Sequence, residues 1–137
     1  MTTEPIRDTR AMLAGMTPSL DATEYLFCTT NDNALAEQAA PLALGWFRED
    51  EGMSLILSAN QANHLGFNAA LSMRRITLTV FSSLEGIGLT AAVSTALTRH
   101  GIPCNMVAAY HHDHVFVPAD MADMAMQVLM DLQAAST

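Results

Sequence analysis

The sequence predicts an α+β protein made of two small units, each an antiparallel sheet with helices on one face. Three observations carry that expectation. Residues 74–81 alternate apolar and polar side chains at period two, and the pattern then shifts to helical spacing at Leu89, Ala92, Val93, Ala96 and Leu97. From residue 74 onward the elements read strand, helix, strand, strand, helix, and the first half repeats that order more faintly. The chain has 137 residues, 50% of them apolar: enough for a real core, but too few for each unit to cover both sides of its own sheet.

In the first half, Thr9 to Met16 reads as a helix with Met12, Leu13 and Met16 on one face. Glu24 to Thr29 is a strand, and Asn31 to Ala40 a loop with a short helix that Pro41 stops. Leu42 to Phe47 forms a second strand, Arg48 to Gly52 a charged turn, and Met53 to Leu57 a third strand. Ala59 to Phe67 is a short helix, and the boundary between the halves falls between Asn68 and Arg74. The expected organisation is an N-terminal arm over 1–20, a first unit over 21–70 and a second over 71–137.

The second half is sharper. Its first helix ends where His100 suits the negative C-terminal dipole, Gly101 accepts a left-handed cap and Pro103 forbids continuation. Cys104 to Tyr110 and His114 to Val117 are two strands joined by a hairpin whose turn is placed at His112-Asp113, making His111 and His114 a cross-strand pair. Pro118 stops the second strand, and Asp120 is a natural N-cap. Met121, Met124, Ala125, Val128, Leu129 and Leu132 then line a final amphipathic helix, with Met121 and Met124 read as core or as a subunit contact. This order is the split βαβ of a ferredoxin-like sandwich. Units this small are expected to pack on each other and on another chain, as a homodimer or a higher homo-oligomer.

Composition excludes several classes. The net charge is −8 and all six basic residues are Arg, so neither a nucleic-acid nor an anionic-membrane footprint is present. No apolar run approaches the roughly 20 residues that span a bilayer. Residues 1–10 carry Glu4 and Asp8 without an apolar stretch, unlike a secretory signal. Cys28 and Cys104 lie in separate apolar runs, which reads as two free thiols in a cytoplasmic protein. Neither has a basic neighbour to lower its pKa, so a thiolate nucleophile is not expected and the chain reads as non-enzymatic.

One segment stands out for binding. Leu84-Glu85-Gly86-Ile87-Gly88-Leu89 joins a strand to a helix N-terminus, where unpaired backbone N–H groups and the dipole favour an anion. Its glycines admit a ligand close to the backbone, or serve a tight turn only. A ligand carboxylate suits the helix end, and Glu85 is placed to meet a ligand amine. The run lacks the lysine of a phosphate loop and the third glycine of a dinucleotide fingerprint, so no cofactor is expected. A second cluster, His111-His112-Asp113-His114, offers metal-ligand types, but neighbouring strand residues point to opposite faces. It stands as a polar hairpin tip, a ligand or interface contact, or a metal site. A metal-binding protein centred on it and a purely structural oligomerisation module are the alternative readings of the chain.

On these residues the chain resembles a known family. Ser83 to Thr90 and Leu97 to Ile102 match the Gly-Leu turn and His-Gly-Ile exit of an ACT domain, the small regulatory module. Glu51 to Leu57, Ile76 to Leu97, His100 to Asn105 and Tyr110 to Pro118 together resemble small bacterial tandem ACT proteins without a catalytic domain. The resemblance spans about Glu24 to Leu132 and implies a regulatory or sensor protein with a small-molecule effector, commonly an amino acid. It also implies an effector at an interface against Leu84 to Leu89, with Asn105 facing that loop. In place of the family's Asp-x-Pro-Gly turn stands Ser-Leu-Glu-Gly-Ile-Gly, and the first half has no Gly-Leu turn, which implies a structural partner there.

Overall fold

The computed structural model describes residues 9–68, 71–79 and 88–136. It divides into two compact units, one formed by the chain up to Asp21 together with Arg74 onward, the other by Ala22–Met73. The elements are α1 (Thr9–Gly15), β1 (Thr17–Thr30), α2 (Asn33–Ala39), β2 (Gly45–Glu49), β3 (Gly52–Ser58) and α3 (Ala59–His64), followed by β4 (Met73–Thr79), α4 (Leu89–Arg99), β5 (Asn105–Ala108), β6 (Asp113–Pro118) and α5 (Ala122–Ala135). Among the described residues no helix is long and apolar enough to cross a membrane.

In the Ala22–Met73 unit the strand order is β2-β3-β1, antiparallel throughout. Leu26, Cys28, Leu55 and Leu57 alternate along β1 and β3 on one face, and Ala39, Ala62 and Phe67 close over them. Asp32 caps α2 by accepting from the Ala34 and Leu35 amides at 3.0 and 3.3 Å. Ser58 caps α3 through Gln61 N at 3.2 Å. The charged turn is tighter than expected: Arg48 and Glu49 remain in the ladder, opposite Met53 and Gly52, leaving Asp50 and Glu51 as the turn.

The other unit has the strand order β1-β4-β6-β5 and uses the Thr17–Asp21 end of β1. Of the N-terminal residues, those described as α1 pack into this unit. Met12 and Leu13 of α1, and Met16 just after it, are buried in the same core as Ile76, Leu78, Val93, Leu97, Val115 and Leu129. Burying three large side chains outweighs the freedom of a loose end. The Asp21 carboxylate accepts from Arg75 at 3.1 Å, and the Asp21 carbonyl accepts from Arg74 Nε at 3.0 Å, tying β1 to β4.

Helix α4 follows the sequence reading closely. Leu89, Val93 and Leu97 are buried with Ala92 and Ala96 packed beside them. Gly101 takes φ +71, its amide donates to Thr98 O, and the Ile102 amide donates to Leu97 O, a Schellman end. Helix α5 differs at its start. Pro118 leads into a 3-10 turn over Ala119–Met121, so Asp120 lies within that turn and does not cap α5. The buried stripe becomes Ala122, Ala125, Val128 and Leu129, while Met124 is 52% exposed.

Candidate functional site

The expected loop falls mainly outside the described residues, which take up again at Gly88: Leu84, Glu85, Gly86 and Ile87 are not among them. Gly88 and Leu89 are. Gly88 is the N-cap of α4 in a left-handed conformation, φ +97, with no side-chain capping bond. Among the described residues no side chain caps the first-turn N–H groups of this eleven-residue helix, and such groups suit an anion. Asn105 opens β5 and is reached only after α4 has carried the chain along the unit. Within one unit the strand–helix–strand crossover puts Gly88 and Asn105 at opposite ends, so the unit does not bring them together.

The hairpin tip is shifted from its expected register. β5 and β6 pair Asn105 with Phe116, Met106 with Val115, Val107 with His114 and Ala108 with Asp113. The Ala109 amide donates to His112 O at 3.0 Å, which extends the ladder and leaves Tyr110 and His111 as the two-residue turn. His111 therefore does not face His114. Met106, Val115 and Val117 face the helices in this register. By alternation His112, His114 and Phe116 share the opposite face. The His112 and His114 rings stand 6.4 Å apart, nearly perpendicular, and His114 Nδ1 is hydrogen-bonded to Thr77 Oγ1 at 3.0 Å.

Among the described residues no group of three or more His, Cys, Asp or Glu side chains is arranged to hold a metal ion. Alternation explains this, since Asp113 faces away from His112 and His114 while His111 sits in the turn. Burial pushes both Cys28 and Cys104 up from their ordinary value, which disfavours the thiolate form.

Burial also shapes the tip's protonation. It holds His114 below its ordinary value, reinforced by the charges of Arg75 and His112 and opposed by Asp113. Burial raises the Asp113 carboxyl, and His114 partly offsets that. Below the ordinary imidazole value of about 6.5 the unfolded chain takes up a proton that folded His114 still refuses. Stability should accordingly fall with pH through that window, and His114→Gln should flatten the fall. Asp113 acts with the opposite sign: its folded state holds a proton above the ordinary carboxyl value, and that stabilisation is lost as pH rises. Asp113→Asn should thus raise Tm at pH 7 and leave it unchanged near pH 3. Calorimetric Tm against pH checks both, and profiles parallel to the wild type would refute them.

Sequence reading placed no binding loop in the first half, yet the structure has a cavity there of about 310 Å³. Thr30, Asn31 and Asn33 line it from the β1–α2 turn, and Arg48 to Met53 from the β2–β3 turn. One guanidinium and three carboxylates (Arg48 with Glu49, Asp50 and Glu51) frame it. Arg48 lies 5.5 Å from the Trp46 ring centroid, and Ser54 Oγ donates to Glu49. The signals for this site were present as the Asp32 cap and the acidic turn ending in Gly52, but nothing local says that the two turns meet.

Two split-βαβ units in tandem define a class of small paired ferredoxin-like domains. The chain belongs to the ACT-domain family: one ACT-domain model matches residues 4–74 and a second matches 70–131. No curated protein matches the sequence. A Vibrio cholerae protein of unknown function, described as a possible transport protein, is 39% identical, with TM-score 0.81 over 90% of this chain and 94% of that one. The ligand-free regulatory subunit of Thermus thermophilus aspartate kinase shares 11% identity, with TM-score 0.61 over 86% of this chain and 98% of its own. Escherichia coli aspartokinase III, solved with aspartate and ADP, shares 10% identity and TM-score 0.65, over 96% of this chain and 34% of that one. At such identity these two likenesses establish the fold.

Proposed function

We propose that this chain is a non-catalytic regulatory or sensor protein, working in the cytoplasm, that binds a small metabolite, an amino acid, at the strand–loop–helix segment from Leu84 to Leu89. The observation that carries the reading is the N-terminus of α4, where Gly88 holds φ +97 and contributes no capping side chain. A ligand carboxylate takes the cap's role there, and helix ends favour negative charge for the same reason. Tandem ACT domains support a ligand-binding regulatory role, and a homodimer or higher homo-oligomer fits units that leave sheet surface uncovered.

A ligand at 100 times its Kd should add about 2.7 kcal/mol of stability, a Tm rise on the order of 10 °C for a chain of this size. Thermal denaturation with each of the twenty amino acids tests this. Gly88→Arg should remove the increment whatever it does to the unliganded Tm. A flat panel, or an increment that survives Gly88→Arg, would count against the site. The cavity of the Ala22–Met73 unit supports a second reading, because Arg48 suits a carboxylate and the acidic turn suits an ammonium group. In that case Arg48→Ala abolishes the increment while Gly88→Arg spares it.

A further inference from the structure

The Ala22–Met73 unit ends on one side at β2, the outermost strand of the order β2-β3-β1. An edge strand leaves a row of backbone N–H and C=O groups unpaired, and edges that must stay single carry a lysine, a proline or a cover. Gly45–Glu49 contains neither residue, and no described strand pairs with its outer side. Instead it shows two aromatic rings to solvent: Trp46 is 48% exposed and Phe47 72%.

The hairpin fixes which backbone groups point outward. Glu49 and Gly52 flank the two-residue turn Asp50-Glu51, so they pair by exchanging both of their backbone bonds. Alternation along β2 then turns the N–H and C=O groups of Gly45 and Phe47 toward β3, and those of Trp46 and Arg48 away from it. Just before the strand, the Leu44 amide is spent on Ile56 O at 2.8 Å. The outward donors and acceptors of β2 therefore belong to Trp46 and Arg48, placed evenly about Phe47.

We propose that β2 pairs antiparallel with β2 of a second copy of this chain, about a two-fold axis at Phe47. The proposal deepens the homo-oligomer reading above and does not depend on which ligand binds. In this register Trp46 lies opposite Arg48 of the second copy and Arg48 opposite its Trp46, so every outward N–H and C=O finds a partner. Phe47 meets its own counterpart as a non-hydrogen-bonded pair, the kind whose side chains come closest. Arg48 lies 5.5 Å from the ring centroid of its own Trp46, and pairing sets a second indole beside it. Other axes are poorer. An axis at Arg48 sets like charges directly opposite each other. An axis at Trp46 calls on the Leu44 amide, which is taken, and leaves Phe47 facing a glycine. Since Arg48 also lines the cavity of this unit, the second copy's indole comes beside a residue of that cavity.

The test is sedimentation velocity of the full chain over a dilution series, with amide exchange followed by NMR. Wild type should dimerise reversibly. On dimerisation the Trp46 and Arg48 amides should exchange more slowly, while the Phe47 amide, bonded within the hairpin, should not change. Phe47→Lys and Phe47→Glu should each weaken the dimer roughly tenfold or more, since each sets like charges across the axis. Mixed in equal amounts they should restore it, because only a register with residue 47 against itself brings lysine to glutamate. Met124→Lys, at an exposed residue of the other unit, should leave the dimer intact. A dimer that ignores both Phe47 substitutions, or a mixture of the two that stays monomeric, overturns the inference and leaves the homo-oligomer reading standing. So does a wild-type dimer whose Trp46 and Arg48 amides exchange as in the monomer, a result that needs no variant to fold. A chain that is monomeric at every concentration overturns both.

Discussion

Gly52→Ala is expected to destabilise the Ala22–Met73 unit by about 3 kcal/mol, through strain and collision together. Gly52 opens β3 with φ +149, a conformation that side-chain-bearing residues rarely adopt. A Cβ built there would lie 2.5 Å from Thr30 O and 3.0 Å from Thr30 C. Both are backbone atoms of a paired strand, Thr30 being held opposite Met53, so neither side can yield without breaking the ladder. Gly45→Ala is the control: its Cβ would meet nothing within 4 Å, and a change within about 0.5 kcal/mol is expected. The chain has one tryptophan, Trp46, and it lies in β2 of this same unit, so its fluorescence in a urea titration follows the affected region. An unmoved transition in Gly52→Ala would show that the close approach of hairpin and strand is not required. Because Gly52 and Thr30 both line the cavity, the substitution should also disturb any binding there.

The second large effect belongs to the other core. Leu97→Ala should cost about 2–5 kcal/mol, the range for removing a fully buried leucine from a packed interior. Leu97 is 0% exposed, among Val93, Ile102 and Leu129 in the core beneath α4 and α5. Its carbonyl accepts from the His100 and Ile102 amides, and those backbone bonds survive the substitution. The loss therefore isolates side-chain packing, not helix termination. Met130→Ala, at a residue 49% exposed on α5, should stay within about 0.5 kcal/mol. Hydrogen exchange of the β4 and α5 amides reports the change in this unit; protection lowered by less than about 1 kcal/mol would mean that the site collapses around the smaller side chain.

Where capping residues and periodicity agree, the sequence was legible to the residue. Helix α4 begins at Leu89 and ends before His100, Gly101 and Pro103 as their chemistry requires. Strands β3 and β6 came within one residue at each end, because alternation with β-branched and apolar residues is a local signal. The hairpin tip was not legible in this way. His112-Asp113 carries good turn residues, yet the strands pair Val107 with His114 and Ala108 with Asp113, which puts the turn at Tyr110-His111. Alternation is the same in both registers and does not choose between them. On α5 the buried stripe takes in Ala122 and leaves out Met124, while Ala125, Val128 and Leu129 are buried as expected.

Sequence also indicated two split-βαβ units and the helix N-terminus at Gly88, since both are written in spacing and caps. Tertiary structure alone decided that α1 completes the core of the second half. It alone joined the β1–α2 turn to the β2–β3 turn around a cavity, and set the β5–β6 register that pairs Ala108 with Asp113. The reason is common to all three. Periodicity and capping report what a segment does with its immediate neighbours, whereas which segments meet depends on burying apolar area between residues far apart in the chain.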